Sequence, residues 1–221
     1  MASPGEAIKE GEVRIDGDTI VGIGAPDKTF AAERTYDCGG NLLMSGFCNA
    51  HAHAAMCLFR GAADDMPLES WLYDRIFPLE EHLTEEDIYW GTMLQIAEYV
   101  RGGITCFADM YFHTDAVFAA ANRANLCLAL CGSLNSYDCG DVLADIARNY
   151  DKYNTMSDRV RYIPGLHAEY TCEEKLLEEV ADFAIERGAP TCIHLSERGG
   201  RLHGAPRRAD AAAVPAQARL F

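Results

Sequence analysis

Short apolar, strand-like runs alternate with helix-forming segments from residue 47 onward, and this alternation restricts the fold more than any other feature. The strand-like runs are predicted at 47–53, 104–110, 126–132, 160–168 and 191–197. Helical patterns are predicted at about 83–103, 114–124, 142–153 and 176–188. Strands that are separated by helices pair side by side in a parallel sheet. The sequence therefore predicts an α/β fold, an incomplete (β/α)8 TIM-type barrel of about five strands, with its chemistry at the carboxyl ends of those strands.

Two of the helices carry signals for their first turn. Thr84 is followed three residues later by Asp87, and Thr171 is followed at the same distance by Glu174. This spacing is typical of a capping box, in which two side chains bond each other's backbone N–H groups. Gly102 marks the far end of the first helix. We therefore predict that both helices begin just after a threonine.

The first part of the chain has a strand-only pattern. Residues 11–24 form two β-type runs around Asp16 and Gly17, a turn sequence typical of a β-hairpin. Residues 34–46 add one more extended run. These runs predict a small β-layer over 1–44, ahead of the barrel segment at 45–198.

The composition changes again near the end of the chain. From Arg198 onward there are five arginines, no lysine and one acidic residue, whereas the whole chain has 19 basic and 34 acidic side chains. The segment 199–221 shows neither helical nor strand periodicity. We expect it to be an atypical tail, either non-native (translated out of frame) or disordered, with a genuine divergent ending as the alternative.

Charge and hydropathy exclude several classes of protein. The net charge of −15 argues against nucleic acid or an anionic membrane as the main partner. No apolar run approaches the roughly 20 residues that span a bilayer, and no signal-peptide pattern opens the chain. The nine cysteines show no framework spacing, so we expect reduced, buried thiols. The sequence is that of a cytoplasmic protein without membrane partners.

Two histidines, His51 and His53, lie one residue apart at the end of the first predicted barrel strand. Side chains two apart on a strand share a face, so both imidazoles point the same way. Two imidazoles at a strand end are typical of the start of a Zn²⁺ or Fe²⁺ site. The alternative is a pair of polar residues that cap the strand.

A third histidine, His194, ends the last predicted strand, and Glu197 follows three residues later. A third strand-end histidine of one barrel would point into the same mouth. A metal held by such ligands activates water. Glu197 would then take a proton from that water and pass it on. The alternative for Glu197 is a solvated loop acid.

Two further residues are weaker candidates. His167 ends the fourth predicted strand, and its alternative is a hydrogen-bonded core histidine. Glu80, on the sequence pattern alone, is interpreted as an acid on a helix.

Several segments together resemble the amidohydrolase superfamily. They are GFCNAHAHAAMCLFRGAADDMPLESWL at 46–72, IFPLE at 76–80, GGITCFADMYF at 102–112, GLHAEYTCEEKLLEEV at 165–180 and IHLSE at 193–197. The greatest similarity is to the methylthioadenosine/S-adenosylhomocysteine deaminase group, and chlorohydrolases and guanine deaminases are related. The resemblance covers roughly residues 5–198.

The resemblance implies a barrel with a small β-sandwich built from both chain ends, of which 1–44 would be a remnant. It implies one divalent metal ion, zinc or alternatively iron, bound by His51, His53 and His194 together with an aspartate from a later strand. It implies that Glu197 is the proton shuttle and contacts substrate, and that Glu80 and His167 also bind substrate. The activity it implies is hydrolysis of a carbon–nitrogen bond in a cyclic amidine: deamination of a small purine nucleoside such as methylthioadenosine or S-adenosylhomocysteine.

The sequence also departs from the family. Glu169 stands where the family's HAPYT motif has proline, and the stretch CGSLNSYD lacks an arginine that members often carry there. Full members continue for three more strands, which bear a further histidine and the aspartate. We therefore expect a truncated member whose open sheet edges favour self-association. Two alternatives stay open: a non-catalytic fragment, or a hydrolase of the chlorohydrolase or guanine deaminase type.

Overall fold

The computed structural model of the chain describes residues 10–138 and 140–196. The chain divides into two compact units, one ending at Gly46 and the other beginning at Phe47. In the first unit, strands β1 (Glu12–Asp16) and β2 (Thr19–Gly24) pair antiparallel. Gly17 takes a φ of 62° in the turn between them, which glycine adopts without a steric penalty. The predicted hairpin is confirmed.

The prediction of a third extended run at 34–46 is wrong. No strand forms within these residues, all of which the structure describes. Two consecutive glycines, Gly39 and Gly40, have φ of 58° and 78° and turn the chain. A strand needs a neighbour to accept its backbone hydrogen bonds, and residues 34–46 pair with no strand that the structure describes.

The second unit contains the expected parallel sheet. Its strands, in spatial order, are β3 (Phe47–Ala52), β4 (Ile104–Met110), β5 (Cys127–Cys131) and β6 (Val160–Tyr162). The helices of this unit are α1 (Leu68–Trp71), α2 (Phe77–Glu80), α3 (Glu85–Arg101), α4 (Thr114–Ala124), α5 (Val142–Met156) and α6 (Glu174–Arg187). A 3-10 helix covers Ala54–Phe59, and a π-helical turn covers Leu72–Ile76. Strands and helices alternate as the apolar runs predict, because each parallel connection has to return along the sheet.

The run predicted as one strand at 160–168 is two strands. After β6 the chain passes Ile163 and Pro164 and enters β7 (Gly165–Ala168), which pairs parallel with β8 (Cys192–His194) in a separate two-stranded sheet. Pro164 has no N–H to donate to a strand ladder, so pairing with β5 stops there. The described strands of the second unit therefore form two parallel sheets, and the break between them is at Pro164.

A close approach between β7 and β8 depends on Gly165. A Cβ atom at this position would lie 2.3 Å from the carbonyl oxygen of Cys192 and 2.6 Å from the Sγ of Cys131. Both separations are far shorter than real contacts. Glycine is therefore what allows β8 to pack beside β7 and the thiol of β5.

The two helix starts differ from each other. Thr84 and Asp87 form the predicted capping box at the start of α3. The box predicted from Thr171 and Glu174 is wrong, because the N-cap of α6 is Glu173 and makes no side-chain capping bond. The Thr171 hydroxyl is used in the turn after β7 instead, where it donates to the Ala168 carbonyl at 3.0 Å.

The core of the second unit lies between the four-stranded sheet and its helices. Its most deeply buried side chains include Phe107, Val117, Leu128, Leu130, Ile146, Tyr153 and Val160. The eight described cysteines are all free thiols, as expected, although Cys38, Cys48 and Cys127 are exposed rather than buried. Within the described part of the chain, no helix has both the length and the apolar character needed to cross a bilayer.

Candidate metal centre

Three histidines from two different sheets meet at one place. His51 and His53 come from the end of β3 and its following residue, and His194 ends β8. Ligand nitrogens of the three rings all lie within 4.8 Å of one another, and the ring centroids are 5.1 Å apart in each pair. Neutral imidazoles are preferred ligands of zinc, which binds nitrogen at about 2.0–2.1 Å. The donor chemistry and the spacing fit a small divalent cation such as Zn²⁺.

The orientation of His53 is fixed from β4. Its Nδ1 lies 2.5 Å from the carbonyl oxygen of Met110. A carbonyl only accepts, so Nδ1 carries the proton and the lone pair is on Nε2. This is the arrangement in which a histidine ligand is oriented by a backbone carbonyl on its other nitrogen.

His167 lies beside the cluster of three histidines. Its ring centroid is 5.3 Å from that of His194, and its Nδ1 is 3.1 Å from the Thr171 hydroxyl. It projects from β7, next to β8, so the same pair of strands supplies both histidines. The structure thus places His167 next to the candidate ligands.

Glu80 also lies close to the centre, although from sequence alone it reads as a helix acid. It ends α2, and its Oε1 accepts a hydrogen bond of 2.7 Å from the hydroxyl of Tyr111. Burial raises the pKa of Glu80, and the Tyr111 bond partly offsets that rise. Burial also raises the pKa of Tyr111, together with the nearby Glu80 charge. The Tyr111 ring is 6.2 Å from that of His53, so the Glu80–Tyr111 pair adjoins the histidine cluster.

A buried acid that the sequence reasoning missed, Asp109, lies under the centre. Asp109 is 1% exposed, and its Oδ2 accepts a hydrogen bond of 2.8 Å from the backbone N–H of Ala54. Burial raises its pKa to about 7. The sequence signal that could have identified Asp109 is its position as a single acidic residue inside an otherwise apolar strand. Such a residue is rarely buried without a specific partner.

The loop that carries the expected proton shuttle is described only in part. Glu197 lies outside the described residues, so its predicted role stays a prediction, as does the atypical tail at 199–221. The preceding residue, Ser196, donates its backbone N–H to both carboxylate oxygens of Glu169, at 2.9 and 3.0 Å. The acid that stands where the family has proline therefore holds the loop that follows β8.

Comparisons with known proteins identify the family. The sequence profile described as "Amidohydrolase family" matches residues 42–204. A 5-methylthioadenosine/S-adenosylhomocysteine deaminase of Pelotomaculum thermopropionicum is 38% identical over 89% of this chain and 47% of its own length. The enzyme of that name from Moorella thermoacetica is 37% identical over 95% of this chain and 50% of its own length. The chain thus spans about half the length of these curated relatives.

Solved structures agree with this assignment. An adenosine deaminase from Xanthomonas campestris with bound zinc is 30% identical, with a TM-score of 0.63 over 68% of this chain and 36% of that one. An atrazine chlorohydrolase from Arthrobacter aurescens, complexed with zinc, is 21% identical, with a TM-score of 0.74 over 82% of this chain and 47% of that one. The second likeness establishes the fold, which is the TIM-barrel-like α/β fold. With a family profile that covers most of its length, this chain belongs to the amidohydrolase family.

Proposed function

We propose that this protein is a metal-dependent hydrolytic deaminase of purine-type small molecules, with methylthioadenosine and S-adenosylhomocysteine as the first candidates. The observation that carries the proposal is the convergence of three imidazoles from two sheets, with ligand nitrogens within 4.8 Å of one another. The names of the relatives supply the substrate class.

His51, His53 and His194 would hold the ion, most suitably zinc and alternatively iron. When bound, such an ion lowers the pKa of water to near 7 and so provides a nucleophile at neutral pH. Met110 keeps the protonated Nδ1 of His53 turned away and leaves its Nε2 for the ion. The backbone carbonyl that orients His53 is thus in place without the ion.

Glu197 would take one proton from the attacking water and pass it to the ring nitrogen, and would then carry the second proton of that water to the amino group, which leaves as ammonia. Glu80 would accept hydrogen bonds from sugar hydroxyls, since its carboxyl is already oriented by the Tyr111 hydroxyl at 2.7 Å. His167, beside His194, would contact the purine together with Glu197.

The finer parts of the architecture are proposals as well. We propose an N-terminal segment at 1–44 that is part of a β-sandwich, a barrel segment of about five strands at 45–198, and an atypical tail at 199–221. A partial barrel would expose sheet edges and favour self-association. The free thiols of all eight described cysteines support a cytoplasmic location, and the net charge of −15 argues against nucleic acid as a partner.

Release of ammonia tests the activity. The purified chain with added Zn²⁺ is incubated separately with methylthioadenosine, S-adenosylhomocysteine, adenosine and guanine, and ammonia is measured. Glu197→Gln should abolish release, while Glu178→Gln, an exposed acid on α6, serves as the matched control. Release that depends on Glu197 supports the deaminase.

Two other outcomes decide between the alternatives. Zinc binding without turnover of any of these compounds supports the non-catalytic alternative. Ammonia release from guanine in place of the nucleosides favours the guanine deaminase type. Chloride release from a chlorinated triazine, measured in a separate assay, favours the chlorohydrolase type; one structural neighbour belongs to each type.

A further inference from the structure

Asp109 is unusual because it is an ionisable side chain that is almost fully buried. Apart from apolar residues, only Thr92 and Asp109 are buried among the residues that the structure describes. A carboxyl group that leaves water without compensating bonds costs several kcal/mol. The burial of Asp109 is therefore unfavourable for folding by itself.

The Asp109 carboxylate bonds the backbone directly after a candidate metal ligand. Its Oδ2 accepts the N–H of Ala54, which follows His53 and begins the 3-10 helix Ala54–Phe59. The first N–H groups of a helix have no partner within the helix. His53 is the N-cap of this helix but makes no side-chain capping bond. Asp109 therefore supplies the cap from the neighbouring strand.

The next residue of β4 holds the same histidine by its ring. Met110 accepts the Nδ1 proton of His53 at 2.5 Å, while Asp109 holds the peptide that follows the same histidine at 2.8 Å. Two consecutive residues of one strand thus fix both the backbone and the ring of His53. The carbonyl of His53 accepts the Met56 N–H at 2.9 Å, so Asp109 holds the other end of the same peptide and adds a second constraint on the ψ angle of His53, which is 74° here.

We propose that Asp109 is a positioning residue of the metal centre, which fixes the direction of His53 by capping the turn at Ala54. The inference rests on the proposed function only in taking His51, His53 and His194 as the ligands. Asp109 contacts neither the ion nor the substrate in this proposal. Its contribution is to keep one ligand oriented before the ion arrives.

Substitutions that keep or remove the acceptor test the proposal. Asp109→Asn keeps a side-chain oxygen for the Ala54 N–H, whereas Asp109→Leu has a similar shape with no acceptor and Asp109→Ala removes the group. The affinity for Zn²⁺ is measured by competition with a chromophoric chelator, and Co²⁺ in place of zinc reports the ligand geometry through its visible absorption. We expect Leu and Ala to weaken Zn²⁺ binding about 10–100-fold, the usual effect of losing a group that orients a ligand, and to change the Co²⁺ spectrum. Asn should stay close to the unchanged protein in both.

A stability control separates positioning from general loosening. Val117→Ala truncates a fully buried side chain of α4 outside the centre, so it should lower the melting temperature without changing Zn²⁺ affinity. Both removal variants are first checked for folding by circular dichroism, and because Leu restores the apolar volume, at least one folded variant is expected. The proposal is overturned if folded Leu or Ala variants bind Zn²⁺ as tightly as the unchanged protein, or if Val117→Ala weakens binding equally.

The result also separates this inference from the proposed function. If the unchanged protein binds no Zn²⁺, both fail together. If it binds Zn²⁺ through the three histidines and Asp109 has no effect, only the positioning role fails.

Discussion

The two parallel sheets each supply part of the histidine cluster, but they are built differently. The sheet β3–β6 has four strands, and the side chains of Leu128 and Leu130 are almost fully buried behind it. The sheet β7–β8 has two strands, and every residue of β8 is only half-buried. The helix that connects these two strands, α6, buries only Val180 and Ala184.

This difference means that the strand ending in His194 is less buried than the middle of the four-stranded sheet. His53 follows β3, the outer strand of that sheet, in which four of six residues are exposed, but its ring is bonded to Met110 of β4. His194 ends a strand of three half-buried residues, next to the largely buried strand β7. Local stability varies across a protein with the number of buried apolar contacts. We therefore infer that an ion bound by all three histidines would join the two sheets and would protect the three-residue strand β8 most.

The largest expected effect is on core packing. Leu130→Ala on β5 should lower the free energy of unfolding by about 2–5 kcal/mol, because it empties space in a closed core. Ile193→Ala on β8 should cost about 1 kcal/mol, since its side chain is only partly buried. Urea unfolding of both variants measures the difference. Equal costs would contradict the distinction between the sheets.

The next effect concerns metal binding. A hundredfold excess of Zn²⁺ over its Kd should raise the free energy of unfolding by about 2.7 kcal/mol, by mass action alone. Hydrogen exchange should slow most in β7 and β8. The double variant His51→Ala/His53→Ala and the single variant His194→Ala should both lose the bound metal and the stabilisation.

His82→Ala is the matched control for this prediction, because His82 is an exposed histidine outside the cluster. It should bind metal like the unchanged protein. Metal content that is equal in the double variant and the control would remove His51 and His53 as ligands.

A smaller effect is expected at the helix starts. Thr84→Ala should lower the free energy of unfolding by about 1 kcal/mol, because it breaks the capping box of α3 behind the larger sheet. Glu173→Ala, at the N-cap of α6, should change stability little, because its side chain makes no capping bond. Thermal melts of the two variants sharpen the comparison, and a larger loss for Glu173→Ala would be inconsistent with the observed caps.

The smallest expected effect is a pH dependence of stability that arises from Glu80, which is bonded to Tyr111 just after β4 of the larger sheet. The pKa of Glu80 is raised by burial above its ordinary 4.5, so the folded state holds a proton more tightly than the unfolded chain. Stability should therefore fall as pH rises from about 4.5 through the raised pKa, and the loss is complete above it. Glu80→Gln should remove this part of the slope in urea titrations between pH 4 and 8. An unchanged slope would show that Glu80 is not the group responsible.

Periodicity predicted the regular parts of the fold correctly. The alternation from residue 47 onward gave β4 and α4 at their observed bounds, and the spacing of Thr84 and Asp87 gave the start of α3. Such signals are local, because they arise from one face of a helix or strand. The split of 160–168 was missed because apolar residues run through Pro164, and only the partner strands reveal where pairing changes.

The site was predictable where its residues end strands. His51, His53 and His194 were named from that position, and the structure brings them together. The contacts around the histidines were not predictable. The Ala54 N–H bonds to Asp109 and the Tyr111 hydroxyl bonds to Glu80, and these partners are 55 and 31 positions apart in the sequence. Periodicity carries no information on such distant pairs. Glu197 stays a prediction, since it lies beyond the described residues.

The narrow approach at Gly165 has a consequence for how this chain tolerates genetic change. Any side chain there would overlap the Cys192 carbonyl and the Cys131 thiol, so a saturation library selected for folded protein should retain glycine alone at this codon. Gly132 offers a contrast, since a Cβ there would first meet the Tyr162 hydroxyl at 3.3 Å, which a small shift relieves. Lineages that acquire new substrates are therefore expected to vary the loops around the strand ends while β7 keeps its first residue unchanged.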